Sequence, residues 1–280
     1  MKTILIIIGG MADIPDLSSG GKTPLGEASV PSLDIIGSKG KCGSFNTVPD
    51  NYPINVKNAL FSLLGYDLSK GIPEDIDLME FGMDANAFRD PASSLKYFVI
   101  PGFSGHGVIL TTSTLVRGIG RCAFLNPVDI YVPGATDSEI LDAIAKKCIQ
   151  SIHDNEFVLI YVDNPLRYSI TGDPLEKKRS LEIIDYHLIT PIADFVWKSN
   201  MFINLAVTSD VVASWRDCKL IRGKVPAAVY FNDREVQSGV KFSETDCQTG
   251  DLEVKEPADL IRFLISSSPF NEDSDDPLPF

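Results

Sequence analysis

The ionisable residues best placed for chemistry stand where apolar runs end. Asp163 closes the run Phe157-Val158-Leu159-Ile160-Tyr161-Val162, and Asp210 follows Phe202 to Thr208 after Ser209. Asp13 lies just beyond Gly9-Gly10, where the first apolar run turns. Lys57 and Arg167, with Asn58 and Tyr168 beside them in the chain, carry charge and donors that suit a phosphate or a carboxylate. The alternative is that these cations pair with Asp163 or Asp210 and fill a cleft. Metal chemistry needs converging carboxylates and neutral imidazoles. The chain has only three histidines, His106, His153 and His187, and none follows a strand end, so each reads as structural or surface. Five cysteines, Cys42, Cys122, Cys148, Cys218 and Cys247, never form a CxxC pair and read as reduced thiols of a cytosolic protein. Gly9-Gly10 is a poor dinucleotide loop, because no GxGxxG spacing follows and Pro15 falls where the helix would run.

Positioning these groups requires strands and helices in alternation. Ile4 to Ile8 is a β-branched run ending in a glycine turn, as expected of a central strand covered on both faces. It is too short for a signal peptide, and no run approaches the ~18 apolar residues of a membrane span. The runs at 157–162, 202–208 and 227–231 predict further strands. Ile140, Leu141, Ile144, Ala145 and Cys148 repeat at helical spacing after Asp137. Asp173-Pro174-Leu175-Glu176 reads as an N-cap, a first-turn proline and a capping-box glutamate. The helix it opens aligns Leu181, Ile184, Leu188, Ile192 and Phe195, with a kink predicted near Pro191. The fold class is α/β, with a mostly parallel central sheet, helices on both faces and a small, shortened α+β insert. Residues 1–67 and 137–265 form the main domain and 68–136 the insert. The acidic tail 266–280 reads as a disordered extension. A formal charge of −13, from 25 basic against 38 acidic residues, argues against broad nucleic-acid or anionic-membrane binding.

Several blocks, in order, carry a family likeness. They are Gly9-Gly10-Met11-Ala12-Asp13, Gly21-Lys22-Thr23-Pro24-Leu25, Ala28 to Asp34 and Leu63-Leu64-Gly65-Tyr66-Asp67. Leu115 to Gly120, Val132 to Thr136, Gly172-Asp173-Pro174 with the helix to Asp185, and Phe242-Ser243-Glu244 with Cys247 and Gly250 continue the series. Together they resemble the archaeal-type, cofactor-independent phosphoglycerate mutases of the alkaline phosphatase superfamily. Ala87-Phe88-Arg89 resembles that family's AFR segment, after which the inserted domain is cut short.

The resemblance implies an alkaline phosphatase-like fold and a chemistry in which a serine accepts the phosphoryl group while two divalent cations stabilise the oxygens. It also implies where the reacting groups should be. The nucleophile position is Val56, followed by Lys57 where the family has an acid. The ligand positions are Gly9, Leu166, Ile170, Asp210, Val211 and Leu220, of which only Asp210 is a ligating residue. The expectation is therefore no catalytic residue, no metal site and no cofactor. The chain reads as a phosphoglycerate mutase-like pseudoenzyme that binds a small anionic ligand or a protein partner. Candidate binding residues are Asp13, Lys57, Asn58, Arg167 and Asp210. The alternative is an enzyme acting on phosphorylated metabolites through a remodelled site built on Asp210, Lys57 and Arg167. A further alternative is a structural subunit docked to an active paralogue.

Overall fold

The computed structural model describes residues 1–15, 20–72, 98–103, 105–130 and 132–266. Strand β1 (Lys2–Ile8) takes the centre of the sheet because its apolar run can be covered on both sides; Ile4 through Ile8 are at most 1% exposed. It pairs in parallel with β5 (Phe157–Val162) and β6 (Ile203–Ser209). Beyond β5 lie β3 (Gly107–Leu110) and β4 (Asn126–Val128), also parallel. Beyond β6, β9 (Lys224–Phe231) runs antiparallel to both β6 and the edge strand β2 (Lys41–Asn46). The described residues thus form a seven-stranded sheet in the order β2-β9-β6-β1-β5-β3-β4.

The two-residue period of β1 divides the core. Ile4, Ile6 and Ile8 face helices α2 (Pro31–Lys39), α5 (Asp137–Asp154), α7 (Pro174–Ile184) and α8 (Thr190–Lys198). Leu5 and Ile7 face α3 (Val56–Leu63), α4 (Thr114–Cys122) and α9 (Pro257–Ser266). The mostly parallel α/β architecture expected from the alternation is present. Short α1 (Pro24–Glu27) and α6 (Asn164–Thr171), and the antiparallel pair β7 (Val212–Ser214) and β8 (Lys219–Ile221), surround the carboxyl ends of β1 and β6. Ala12 bridges to Val212, tying the turn after β1 to that pair.

Caps set the helix starts. Asp173 accepts the Glu176 amide at 3.0 Å, as its spacing predicts. Thr136 and Glu139 form a reciprocal capping box that starts α5. The kink expected near Pro191 takes another form. A π-helical segment over Asp185–Ile189 absorbs an extra residue just before it, with Thr190 N–H donating to the Asp185 carbonyl. Pro191 then occupies the first turn of α8, where it has no helical N–H to lose. The segment also turns Asp185 inward, where its carboxylate accepts the Ser32 and Leu33 amides at 3.1 and 2.9 Å and caps α2.

The expected insert boundary is corrected. β3 pairs with β5 from Gly107↔Phe157 to Leu110↔Ile160, so the described residues from 107 onward extend the main sheet instead of forming a separate layer. The Ala87-Phe88-Arg89 block and the tail beyond Ser266 lie outside the described residues. Among the described residues, no helix is long and apolar enough to cross a membrane.

Candidate functional site

Gly9 and Gly10 end β1 at the carboxyl edge of the sheet, beside the end of β6. Gly10 adopts φ +64°, a left-handed conformation in which a side chain would be strained, and a Cβ there would lie 2.7 Å from Leu166 Cα. This close approach seats α6 on the turn. The Gly10 N–H donates to Asp210 Oδ1 at 2.8 Å, and the Val211 N–H donates to the same oxygen at 2.6 Å. The Tyr161 hydroxyl donates to Asp210 Oδ2 at 3.0 Å. Asp210 is fully buried, and burial pushes its carboxyl up to about 6 against the pull of these three bonds. Burial also holds the Tyr161 phenol well above its usual range, helped by the nearby charges of Asp210 and Asp163.

The position of Tyr161 decides what residue 9 can be. A Cβ on Gly9 would lie 2.6 Å from the Tyr161 hydroxyl, 3.0 Å from its ring and 3.2 Å from Asp163 Cβ. The space that an aspartate side chain would need at residue 9 is therefore filled by a tyrosine from the neighbouring strand.

Two more of the ligand positions meet in apolar surroundings. Val211 packs with Val48 and Ala59, and Tyr52, Ile54 and Leu220 close over them. Val56, at the nucleophile position, is the first residue of α3, behind the cap that Asn55 supplies to the Asn58 amide. Leu166 is half-buried, and Ile170 is 53% exposed on α6.

The binding candidates have different surroundings. Arg167 is 61% exposed and sits 3.9 Å from Asp137. Asn58 donates its side-chain amide to the Pro53 carbonyl at 2.8 Å. Lys57 is half-buried in the first turn of α3, and Asp210 is sealed as described. Asp163 and Tyr168 are half-buried at the start and middle of α6.

Asp13 belongs to a buried network that the sequence reading missed. Its Oδ2 accepts the Lys177 ammonium at 2.6 Å and the Trp215 amide at 3.3 Å. Lys177, with no exposed surface, also donates to the carbonyls of Ala12 and Ala213. Glu244 accepts the Asp13 amide at 3.0 Å on one oxygen and the Thr23 hydroxyl at 2.6 Å on the other. Burial lowers the ammonium of Lys177 although Asp13, Glu244 and Asp210 all favour its charge, and burial raises Glu244. The network joins the turn after β1, the segment before α1, α7, β7 and the loop after β9. One turn before Leu181 on the buried stripe of α7 lies Lys177, so the helical period alone would have placed it inside.

The resembled family's two cations can be tested against these groups. Two divalent ions need several carboxylates and imidazoles with free lone pairs facing one space. Here both oxygens of Asp210 are engaged by Gly10, Val211 and Tyr161, and Gly9 has no room for a carboxylate. Val211 and Leu220 offer no donor atoms. Among the described residues, no group of three or more His, Cys, Asp or Glu is placed to hold a metal ion. The residues present do not fit a two-cation centre at this strand edge.

Comparison with known proteins gives the likeness a measured extent. No family model matches the chain. It is 45% identical over 67 residues to the 2,3-bisphosphoglycerate-independent phosphoglycerate mutase of Methanosarcina barkeri, covering 24% of this chain and 17% of that protein. The chain spans between 17% and 40% of the length of the first curated relatives it matches. Its fold matches the cofactor-independent phosphoglycerate mutase of Thermoplasma acidophilum at TM-score 0.66 and 16% identity, over 95% of this chain and 99% of that one. It also matches the PH0037 protein of Pyrococcus horikoshii at TM-score 0.79 and 18% identity, over 94% and 95%. The chain is thus similar to phosphoglycerate mutases in sequence over part of its length, and its fold matches that of a cofactor-independent one over nearly all of it. This relationship corrects the expectation that no cofactor is involved. The family resembled works with divalent cations, so independence from a cofactor is not something this chain takes from its relatives.

Proposed function

We propose that this chain is a phosphoglycerate mutase-like protein that does not carry out phosphoryl transfer at the strand-end site, and that it acts by binding a small anionic ligand. The observation that carries the reading is the Tyr161 hydroxyl, which fills the space of a side chain at residue 9 and satisfies Asp210 in the same contact. A buried carboxylate left without a partner costs several kcal/mol, so a donor from within the fold stabilises Asp210 where the neighbouring ligand positions have become apolar. Val56 adds to the reading, because it has no oxygen to accept a phosphoryl group. A remodelled enzyme built on Asp210, Lys57 and Arg167 gains no support, since Arg167 lies on the surface and Asp210 has no exposed atom. The acidic balance of the chain gives nucleic acid or anionic membrane no support as a partner. Five free thiols, four of them buried, suit a reducing compartment such as the cytosol.

The test is hydrolysis of 4-nitrophenyl phosphate by pure protein supplied with Mn²⁺, before and after chelation. No chelator-sensitive release of nitrophenol is expected. Release that scales with protein concentration and stops on chelation would overturn the proposal.

A further inference from the structure

Two of the five free thiols face each other. Cys42, on the edge strand β2, and Cys247, in the one-turn 3₁₀ helix Asp246–Thr249, bring their sulfurs to 3.4 Å although they stand 205 residues apart in the chain. Both are buried, at 0% and 1% exposure. Backbone packing fixes the approach. The Leu252 N–H donates to the Cys42 carbonyl at 2.8 Å, and a Cβ on Gly250 would overlap that same carbonyl, so only glycine lets the loop after β9 lie this close along β2. Cys42 is the inner partner, since a Cβ on Gly37 of α2 would come within 3.3 Å of its sulfur. Cys247 is the outer one, with exposed Asp246 and Gln248 on either side of it.

This arrangement separates a closed, inert thiol from an open, reactive one. The contact with Cys42 and burial hold the Cys247 thiol well above its ordinary range, so the closed turn carries next to no thiolate. The turn is held by the Cys247 N–H, which donates to the Ser243 carbonyl at 3.1 Å, and by the Gly250 N–H, which donates to the Cys247 carbonyl at 3.3 Å. A single surface turn opens at far less cost than a core strand. Opening puts the Cys247 sulfur in water, and closing returns it to Cys42.

We infer that Cys42 and Cys247 are a redox-responsive dithiol, oxidised by a low-molecular-weight disulfide to a cross-link that staples the loop after β9 to the edge strand. Cys247 gives up its proton and its sulfur attacks one sulfur of the small disulfide, expelling a thiolate that takes up a proton. Cys42 then loses its proton and attacks the Cys247 sulfur, expelling the second small thiol. Two protein thiols are oxidised, and one small disulfide is reduced to two thiols. Closing 3.4 Å to the ~2 Å of a disulfide asks for a shift of about 1.4 Å, within reach of side-chain rotation. The staple bears on the buried network, because the loop it fixes carries Glu244, which accepts the Asp13 amide and the Thr23 hydroxyl.

The test is incubation of the reduced full chain with glutathione disulfide in the absence of denaturant, followed by acid quench, alkylation and tryptic digestion without reduction. Peptides 42–57 and 242–255, joined through Cys42 and Cys247, are expected in the mass spectrum. Cys122 and Cys148 should remain alkylated, and exposed Cys218 should carry at most glutathione. Full alkylation of Cys42 and Cys247, or a bond between them that forms only in denaturant, overturns the inference. The oxidised chain should also melt at least about 4 °C above the reduced one, as expected of a cross-link that closes a long loop. Cys247→Ala, which keeps Cys42 in place, should show no such rise. A cross-linked chain that melts no higher than the reduced one, or an equal rise in Cys247→Ala, overturns the staple.

Discussion

Replacing Gly9 by aspartate restores the side chain that the resembled family has at the end of β1, in a place where the surrounding atoms leave it no room. The new Cβ would lie 2.6 Å from the Tyr161 hydroxyl and 3.0 Å from its ring, well inside van der Waals contact. Tyr161 does not yield easily, because it is 2% exposed and pairs with Ile7 of the central strand β1. Overpacking of this kind costs about 1–3 kcal/mol. Displacing Tyr161 also breaks its bond to Asp210, and a bond to a charged acceptor contributes about 1.5–3 kcal/mol. The substitution should therefore cost about 2.5–6 kcal/mol, which lowers the melting temperature by roughly 5–24 °C in a chain of this size. Guanidinium unfolding followed by tryptophan fluorescence measures it. Combining Gly9→Asp with Tyr161→Ala tests the cause. The tyrosine truncation alone costs about 3–5 kcal/mol, but it empties the space that the aspartate needs, so the double variant should be more stable than the sum of the singles by at least ~1 kcal/mol. A Gly9→Asp protein within about 0.5 kcal/mol of the wild type, or strictly additive with Tyr161→Ala, would refute the reasoning.

Other substitutions probe the surroundings. Lys177→Ala leaves Asp13 charged and buried and should cost about 3–5 kcal/mol, whereas Asp13→Asn combined with Lys177→Met should recover much of that loss; chemical denaturation decides, and an unrecovered double variant would mean that packing dominates. Asp185 is raised from an ordinary 3.8 to about 6, chiefly by burial. With the folded value above the unfolded one, its contribution is fully present below pH ~4 and is lost as pH rises through 6. Between pH 4 and pH 7 the wild type should therefore lose about 3 kcal/mol relative to Asp185→Asn, and a flat difference across that window would show that Asp185 does not titrate there.

Local patterns were legible where the chemistry was local. The β-branched run of β1 and the cap Asp173 depend on neighbours in sequence, and the structure has them in place. Membership of β3 in the main sheet depends on pairing Gly107 with Phe157, fifty residues away, and a four-residue strand carries no sign of its partner. For the same reason 68–136 read as a separate insert. At Gly9, Val211 and Leu220 the sequence showed the residue types through the resemblance, but not what surrounds them. Tyr161 looked like one more apolar residue of a buried run, and only the packing of β5 beside β1 brings its hydroxyl to Asp210. Lys177 stands on the buried stripe of α7 by its period, but its Lys177-Lys178-Arg179 series has the composition of a solvated face, and two other segments, the turn after β1 and β7, bond its ammonium inside.

The central claim, that the closed strand-end site no longer transfers phosphoryl groups, is tested most directly by ³¹P NMR of 3-phosphoglycerate incubated with the pure protein and Mn²⁺. The expected spectrum is that of unchanged 3-phosphoglycerate, with neither 2-phosphoglycerate nor inorganic phosphate growing in above the protein-free control. Conversion to 2-phosphoglycerate that scales with protein concentration and ceases on chelation would contradict it.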